Sequence, residues 1–145
     1  MYSHILIWTD GSDAARRAIS HGIELARVMS ARVTAIAIHP PFRILAVAPE
    51  VIVATPPDHA AAAKADADEA LAGVAETAKA AGVVCETLMI EHESTPSAIA
   101  ETAASKGCDL IVMSSRGRRG VTALVLGSIT MEVVANSTMP VLVCR

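Results

Sequence analysis

The chain has 145 residues, 52% apolar and 19% charged, with a net charge of −3. This length suits one domain, residues 1–145, that buries about two-thirds of its unfolded surface without a disulfide or metal staple, and the apolar fraction excludes disorder. Three aromatic residues, Tyr2, Trp8 and Phe42, are too few for a stacking platform on single-stranded nucleic acid, and the acidic balance argues against broad duplex binding.

Ile5-Leu6-Ile7-Trp8 is a buried-strand run that stops at Thr9-Asp10-Gly11-Ser12, where Ser12 is a candidate N-cap. Ala15, Ala18, Ile19, Gly22, Ile23 and Ala26 then share one face at helical spacing. Arg32 to Ile38 forms a second strand, halted by Pro40-Pro41. A long connection from about His39 to Asp58 follows. It is apolar but proline-rich, and loops of this length in compact domains are functional or partly structured. Ala60 to Ala81 is the longest helix, ended by Gly82, and Val83 to Ile90 is the third strand. Thr95-Pro96 opens a helix with proline in its first turn, running to Lys106-Gly107. Leu110 to Met113 is the fourth strand. Gly127-Ser128 opens a last helix through about Asn136, and Val141 to Cys144 is the fifth strand.

Five strands alternating with four helices specify an α/β domain of Rossmann-like layout, a doubly wound five-stranded parallel sheet in the order 3-2-1-4-5. Near-continuous apolar strands agree, because both faces are covered. No segment supplies the roughly 20 apolar residues of a membrane span: the most apolar stretch, Val33 to Thr55, is broken by Pro40, Pro41, Arg43, Pro49 and Glu50. Only Ile5-Leu6-Ile7 precedes Asp10, too short for a secretory signal. Cys85, Cys108 and Cys144 are odd in number and widely spaced, so reduced, buried thiols and a cytoplasmic location are expected.

Doubly wound sheets bind ligands beyond the carboxyl ends of their strands, where strand order reverses. The segment arriving there after the fourth strand is Met113-Ser114-Ser115-Arg116-Gly117-Arg118-Arg119-Gly120, followed at Gly127 by Ser128-Ile129-Thr130. Glycines admit an anion to the backbone amides, the hydroxyls of Ser114, Ser115, Ser128 and Thr130 add donors, and a helix start favours negative charge. From Leu110 to Met131 there are three arginines and no acidic residue. In an acidic protein that local reversal suits phosphate, against the alternative of a plain structural turn.

With these residues in place, the chain resembles the universal stress protein family over nearly its whole length. The family fingerprint is glycine, two residues, glycine, nine residues, glycine, then serine or threonine. Here Ser114 replaces the first glycine, Gly117 is the second, and Gly127-Ser128 follows after nine residues. Thr9 to Ser12 and the Pro140-Val141-Leu142-Val143 ending also fit. The resemblance implies an ATP binder in which Thr9 and Asp10 meet the adenosine end and the backbone of Ile38 reads the adenine edge. Met113, Ser114 and Gly117 would line ribose and phosphates, with Arg116 and Arg118 beside them, while Gly127, Ser128, Ile129 and Thr130 hold the phosphate tail. Trp8 stands where many relatives carry proline or a smaller residue; it either stacks near the base or belongs to the core. Asp10 is a candidate to help hold Mg²⁺ with the phosphates.

No catalytic constellation accompanies this loop. A Gly-x-Ser-x-Gly elbow, a Walker P-loop and a dinucleotide Gly-x-Gly-x-x-Gly are all absent from the sequence. The five histidines lack paired metal spacing, and Glu91-His92-Glu93 reads as a solvated loop ahead of a metal site. A phosphoryl-receiving domain needs an aspartate at the end of strand three, where Glu91 stands. The expectation is a nucleotide-dependent stress sensor or regulator with at most slow hydrolysis of ATP. The alternative is a nucleotide-free dimeric scaffold. In the expected strand order Pro140 to Cys144 is a bare apolar edge, which a two-fold copy would cover, so a homodimer is expected, with no nucleic acid or membrane partner.

Overall fold

The structure is a computed structural model that describes residues 1–41, 44–48, 51–54, 57–117 and 125–145, with the backbone alone described for 44–48, 51–54 and 57–58. In chain order the elements are β1 (His4–Trp8), α1 (Asp13–Met29), β2 (Arg32–His39), β3 (Ile44–Ala48), β4 (Val51–Ala54), α2 (Pro57–Ala80), β5 (Cys85–Glu91), α3 (Thr95–Ser105), β6 (Leu110–Ser114), α4 (Ser128–Asn136) and β7 (Val141–Cys144). Five parallel strands form one sheet in the order β5-β2-β1-β6-β7, the expected 3-2-1-4-5 arrangement.

Alternation along β1 sorts the core into two layers. Ile5 and Ile7 pack with Ile19, Ile23 and Ala26 of α1 and with Leu71, Val74 and Ala78 of α2. Leu6 and Trp8 pack on the other face with Ile99 and Ala103 of α3 and Val133 of α4. Every residue of β1 and of β6 is buried, which is why neither strand shows polar alternation. Helix α1 runs very close to the sheet. A Cβ on Gly22 would stand 2.7 Å from Ile7 Cδ1 and 3.3 Å from Val112 Cγ1.

Local signals set the element ends. Ser12 caps α1 by accepting from Ala15 N at 3.1 Å, and Ser94 caps α3 by accepting from Ser97 N at 3.3 Å. Gly82, in the left-handed region at φ +70°, ends α2. The connection after β2, expected to be functional or partly structured, contains two strands: β3 and β4 pair antiparallel as a separate two-stranded sheet. Prolines punctuate that stretch and conceal the strands, but Ile44, Val47, Val51, Ile52 and Val53 between them are residues that favour extended backbone. The third strand of the main sheet starts at Cys85, two residues later than its apolar run indicates. All three cysteines are free, as expected, and burial raises each thiol, Cys108 to about 11.

Candidate functional site

β1 pairs with β2 on one side (Leu6 with Thr34) and with β6 on the other (Leu6 with Ile111). Strand order therefore reverses between β1 and β6, and the turns leaving these two strands meet at the carboxyl end of the sheet. After β1, Thr9 N donates to Ile36 O at 3.0 Å, Gly11 N donates to Thr9 Oγ1 at 3.1 Å, and Ser12 N donates to Asp10 Oδ1 at 3.0 Å. Gly11 takes φ +78°, a conformation side chains rarely adopt. The turn thus holds the Asp10 carboxylate in place, and a Cβ added at Gly117 would lie 2.9 Å from its Oδ2.

The loop after β6 is closed at its base by its own polar groups. Ser115 N donates to Cys144 O at 2.7 Å, Gly127 N to Ser115 O at 2.8 Å, and Thr130 Oγ1 to Ser114 O at 2.9 Å. The Ser114 hydroxyl donates to Arg116 O at 2.7 Å. That hydroxyl is expected from the sequence as a ligand donor, but the structure spends it inside the turn. Glycine is also not required at 114. Among the described residues Ser30 alone combines a side chain with positive φ. Gly127, at φ −60°, heads α4 with no side-chain cap, in contrast to Ser12 and Ser94 on α1 and α3. The first amides of α4, at Ser128, Ile129 and Thr130, therefore receive no side-chain cap from residue 127, and the dipole of a helix start favours an anion.

A cleft of about 720 Å³ begins at Thr9 and Gly11 and runs between α1 and α2, past Arg16, Asp66, Glu69 and Glu76. No local motif in the sequence marks these acidic residues. Their spacing of 66, 69, 73 and 76 would have placed them on one helical face with Gly73. The cleft wall is acidic, whereas the loop on the β6 side carries arginine.

Trp8 is 5% exposed and Met113 fully buried, both in the α3–α4 core layer, so both form the floor beneath the site rather than its lining. Ile38 is part-buried at the end of β2, against the same layer. Arg118 lies outside the described residues. His39 Nδ1 is 3.2 Å from the Pro40 carbonyl. His92 Nδ1 accepts from Ser94 N at 2.9 Å while its Nε2 stands 3.3 Å from Glu101 Oε2, which ties the ring to the cap and the middle of α3. Among the described residues no group of three His, Cys, Asp or Glu side chains could hold a metal ion, and no helix is long and apolar enough to cross a membrane.

The fold and this loop define a Rossmann-like α/β domain with a glycine-hinged turn at the switch point. The sequence model of the universal stress protein family matches residues 1–145, and the chain belongs to that family. It is 34% identical over 150 aligned residues to universal stress protein MJ0531 of Methanocaldococcus jannaschii, covering 100% of this chain and 83% of that one. Among solved structures, a universal stress protein in complex with cAMP superposes with a TM-score of 0.75 at 24% identity, over 99% of this chain and 97% of the other. The universal stress protein from Archaeoglobus fulgidus in complex with dAMP gives 0.69 at 20% identity, over 99% and 98%.

Proposed function

We propose that the chain binds ATP at the β1–β6 switch point and acts in the cytoplasm as a nucleotide-dependent stress sensor or regulator, with at most slow hydrolysis. The observation that carries this reading is the uncapped start of α4, held beside Gly117 by the Gly127–Ser115 hydrogen bond at 2.8 Å. Phosphates would take the amides of Gly117, Ser128, Ile129 and Thr130 and the Ser128 hydroxyl, with Arg116 alongside. The acidic cleft repels phosphate, so the adenosine end would face Thr9, Asp10 and the Ile38 backbone. Two relatives of the same fold hold cAMP and dAMP, which supports the adenine class. A divalent ion would depend on phosphate oxygens for most of its ligands, with Asp10 contributing one. ATP supplies a polyphosphate as the anion for the loop; the chain's own groups bind and orient it.

The same reading includes a homodimer. β7 ends the sheet, Leu142 on it is 39% exposed, and Val28 of α1 lies exposed across an apolar cleft of about 500 Å³. A second copy adding a strand would cover this edge.

Calorimetry with ATP, AMP, cAMP and GTP tests the nucleotide site. Micromolar affinity for ATP, about 8 kcal/mol in all, is expected, with GTP weaker. No heat with any nucleotide, together with an intact dimer by light scattering, would leave the scaffold reading in its place.

A further inference from the structure

The opposite end of the sheet holds a buried polar group that the nucleotide reading does not use. His4, the first residue of β1, is 5% exposed. Its Nε2 is 2.8 Å from Thr34 Oγ1 on β2, and its Nδ1 has no hydrogen-bond partner. Beyond Thr34 lies Glu86 of β5, whose carboxylate accepts from Lys106 Nζ at 2.8 and 3.1 Å at the end of α3. Lys106 and, to a smaller degree, Thr34 keep that carboxyl below its usual range. Thr34 thus stands between the His4 ring and the Glu86 carboxylate, and its hydroxyl can either donate or accept. On the main-chain side, Asp109 accepts from His4 N at 3.1 Å and from Ser3 N and Oγ at 2.8 Å, and Asp109 N donates to His4 O at 2.9 Å.

The charged neighbours pull in both directions. Burial, and then Arg32 on β2, oppose a charged ring. The Lys106 carbonyl, Asp109 and Glu86 favour it, and the net effect lowers the pKa of His4. A second proton would put a full charge on a ring that is 5% exposed, and burying a charge is costly.

We propose that His4 is an acid-sensitive latch: its neutral ring joins β1 to the Thr34–Glu86–Lys106 chain, and a second proton on it loosens the amino end of the sheet together with the turn after α3. A histidine whose folded pKa is depressed gives stability that is complete above the unfolded value of about 6.5 and is lost as pH falls toward the folded value.

The test compares full-length wild type with His4→Gln, whose amide can still donate to Thr34 but does not titrate. From pH 7.5 to 5.0 the unfolding constant of wild type is expected to rise about tenfold more than that of the variant. Amide exchange in residues 3–6, 32–34 and 106–109 should quicken in wild type alone. Parallel pH profiles for the two proteins would overturn the latch. If His4→Gln does not fold, NMR titration of the wild-type ring decides. A ring that charges below the ordinary 6.5 upholds the proposal, and one that charges at 6.5 or above refutes it.

Discussion

Gly117 passes so close to Asp10 that a methyl group on its Cα would meet the carboxylate at 2.9 Å. The second fingerprint glycine is therefore required by a side chain of another turn, one that Ser12 N holds at 3.0 Å. Gly117→Ala must displace either the Asp10 carboxylate or the loop. Affinity for ATP is expected to fall about tenfold or more, roughly 1.4 kcal/mol, with only a small change in melting temperature. Calorimetry and a thermal melt check this, and wild-type affinity in the variant would detach Asp10 from the site.

Gly127 offers more room. A Cβ there reaches Ser115 O at 3.4 Å, ordinary contact, and φ is −60°. Gly127→Ala should fold and bind nearly as wild type does. Gly127→Val adds branches at the mouth of α4 and should cost two charge-assisted bonds of roughly 1.5–3 kcal/mol each. Equal affinity of Val and Ala variants would move the phosphate away from α4.

Gly22 carries the approach of α1 to the sheet. In Gly22→Ala the new methyl meets Ile7 and Val112, both fully buried. Overpacking of this kind costs about 1–3 kcal/mol. A lower urea midpoint with unchanged slope is the expected reading.

Asp109 gives an acid-range prediction. Burial acts to raise its pKa, but hydrogen bonds from Ser3 N, the Ser3 hydroxyl and His4 N bring it below the ordinary 3.8. A depressed carboxyl stabilises the fold above the unfolded pKa, and the gain disappears as pH falls through the folded value. Wild type should therefore lose more stability than Asp109→Asn as pH drops below about 4. Urea titrations at pH 5 and pH 3 measure the difference.

The edge strand gives the assembly prediction. Lysine at both Val141 and Val143 should yield a soluble monomer or an unfolded chain, because charges on an edge oppose strand addition. Light scattering showing an unchanged dimer would rule out assembly through β7.

Much of this site can be read along the chain. The strand end at Trp8, the Ser12 cap, the proline in the first turn of α3 and the start of α4 at Ser128 are all local, and each depends on residues within a few positions of one another. The hairpin of β3 and β4 was hidden because strand pairing is a relation between segments, and its prolines mimic a loop. The acidic side of the cleft was hidden for a similar reason: Asp66, Glu69 and Glu76 gain meaning only once α1 lies opposite α2.

From residue order alone came the alternation of strand and helix, the covered faces of the sheet and the family fingerprint, since backbone preference and apolar periodicity act over short distances. Distance across the fold decided the rest. Contacts between residues more than a hundred positions apart bring Gly117 against Asp10 and anchor His4 beside Asp109, and they turn Trp8 and Met113 into floor. A hydroxyl such as that of Ser114 can serve a ligand or its own turn with the same chemistry, and only the position of the Arg116 carbonyl 2.7 Å away determines which.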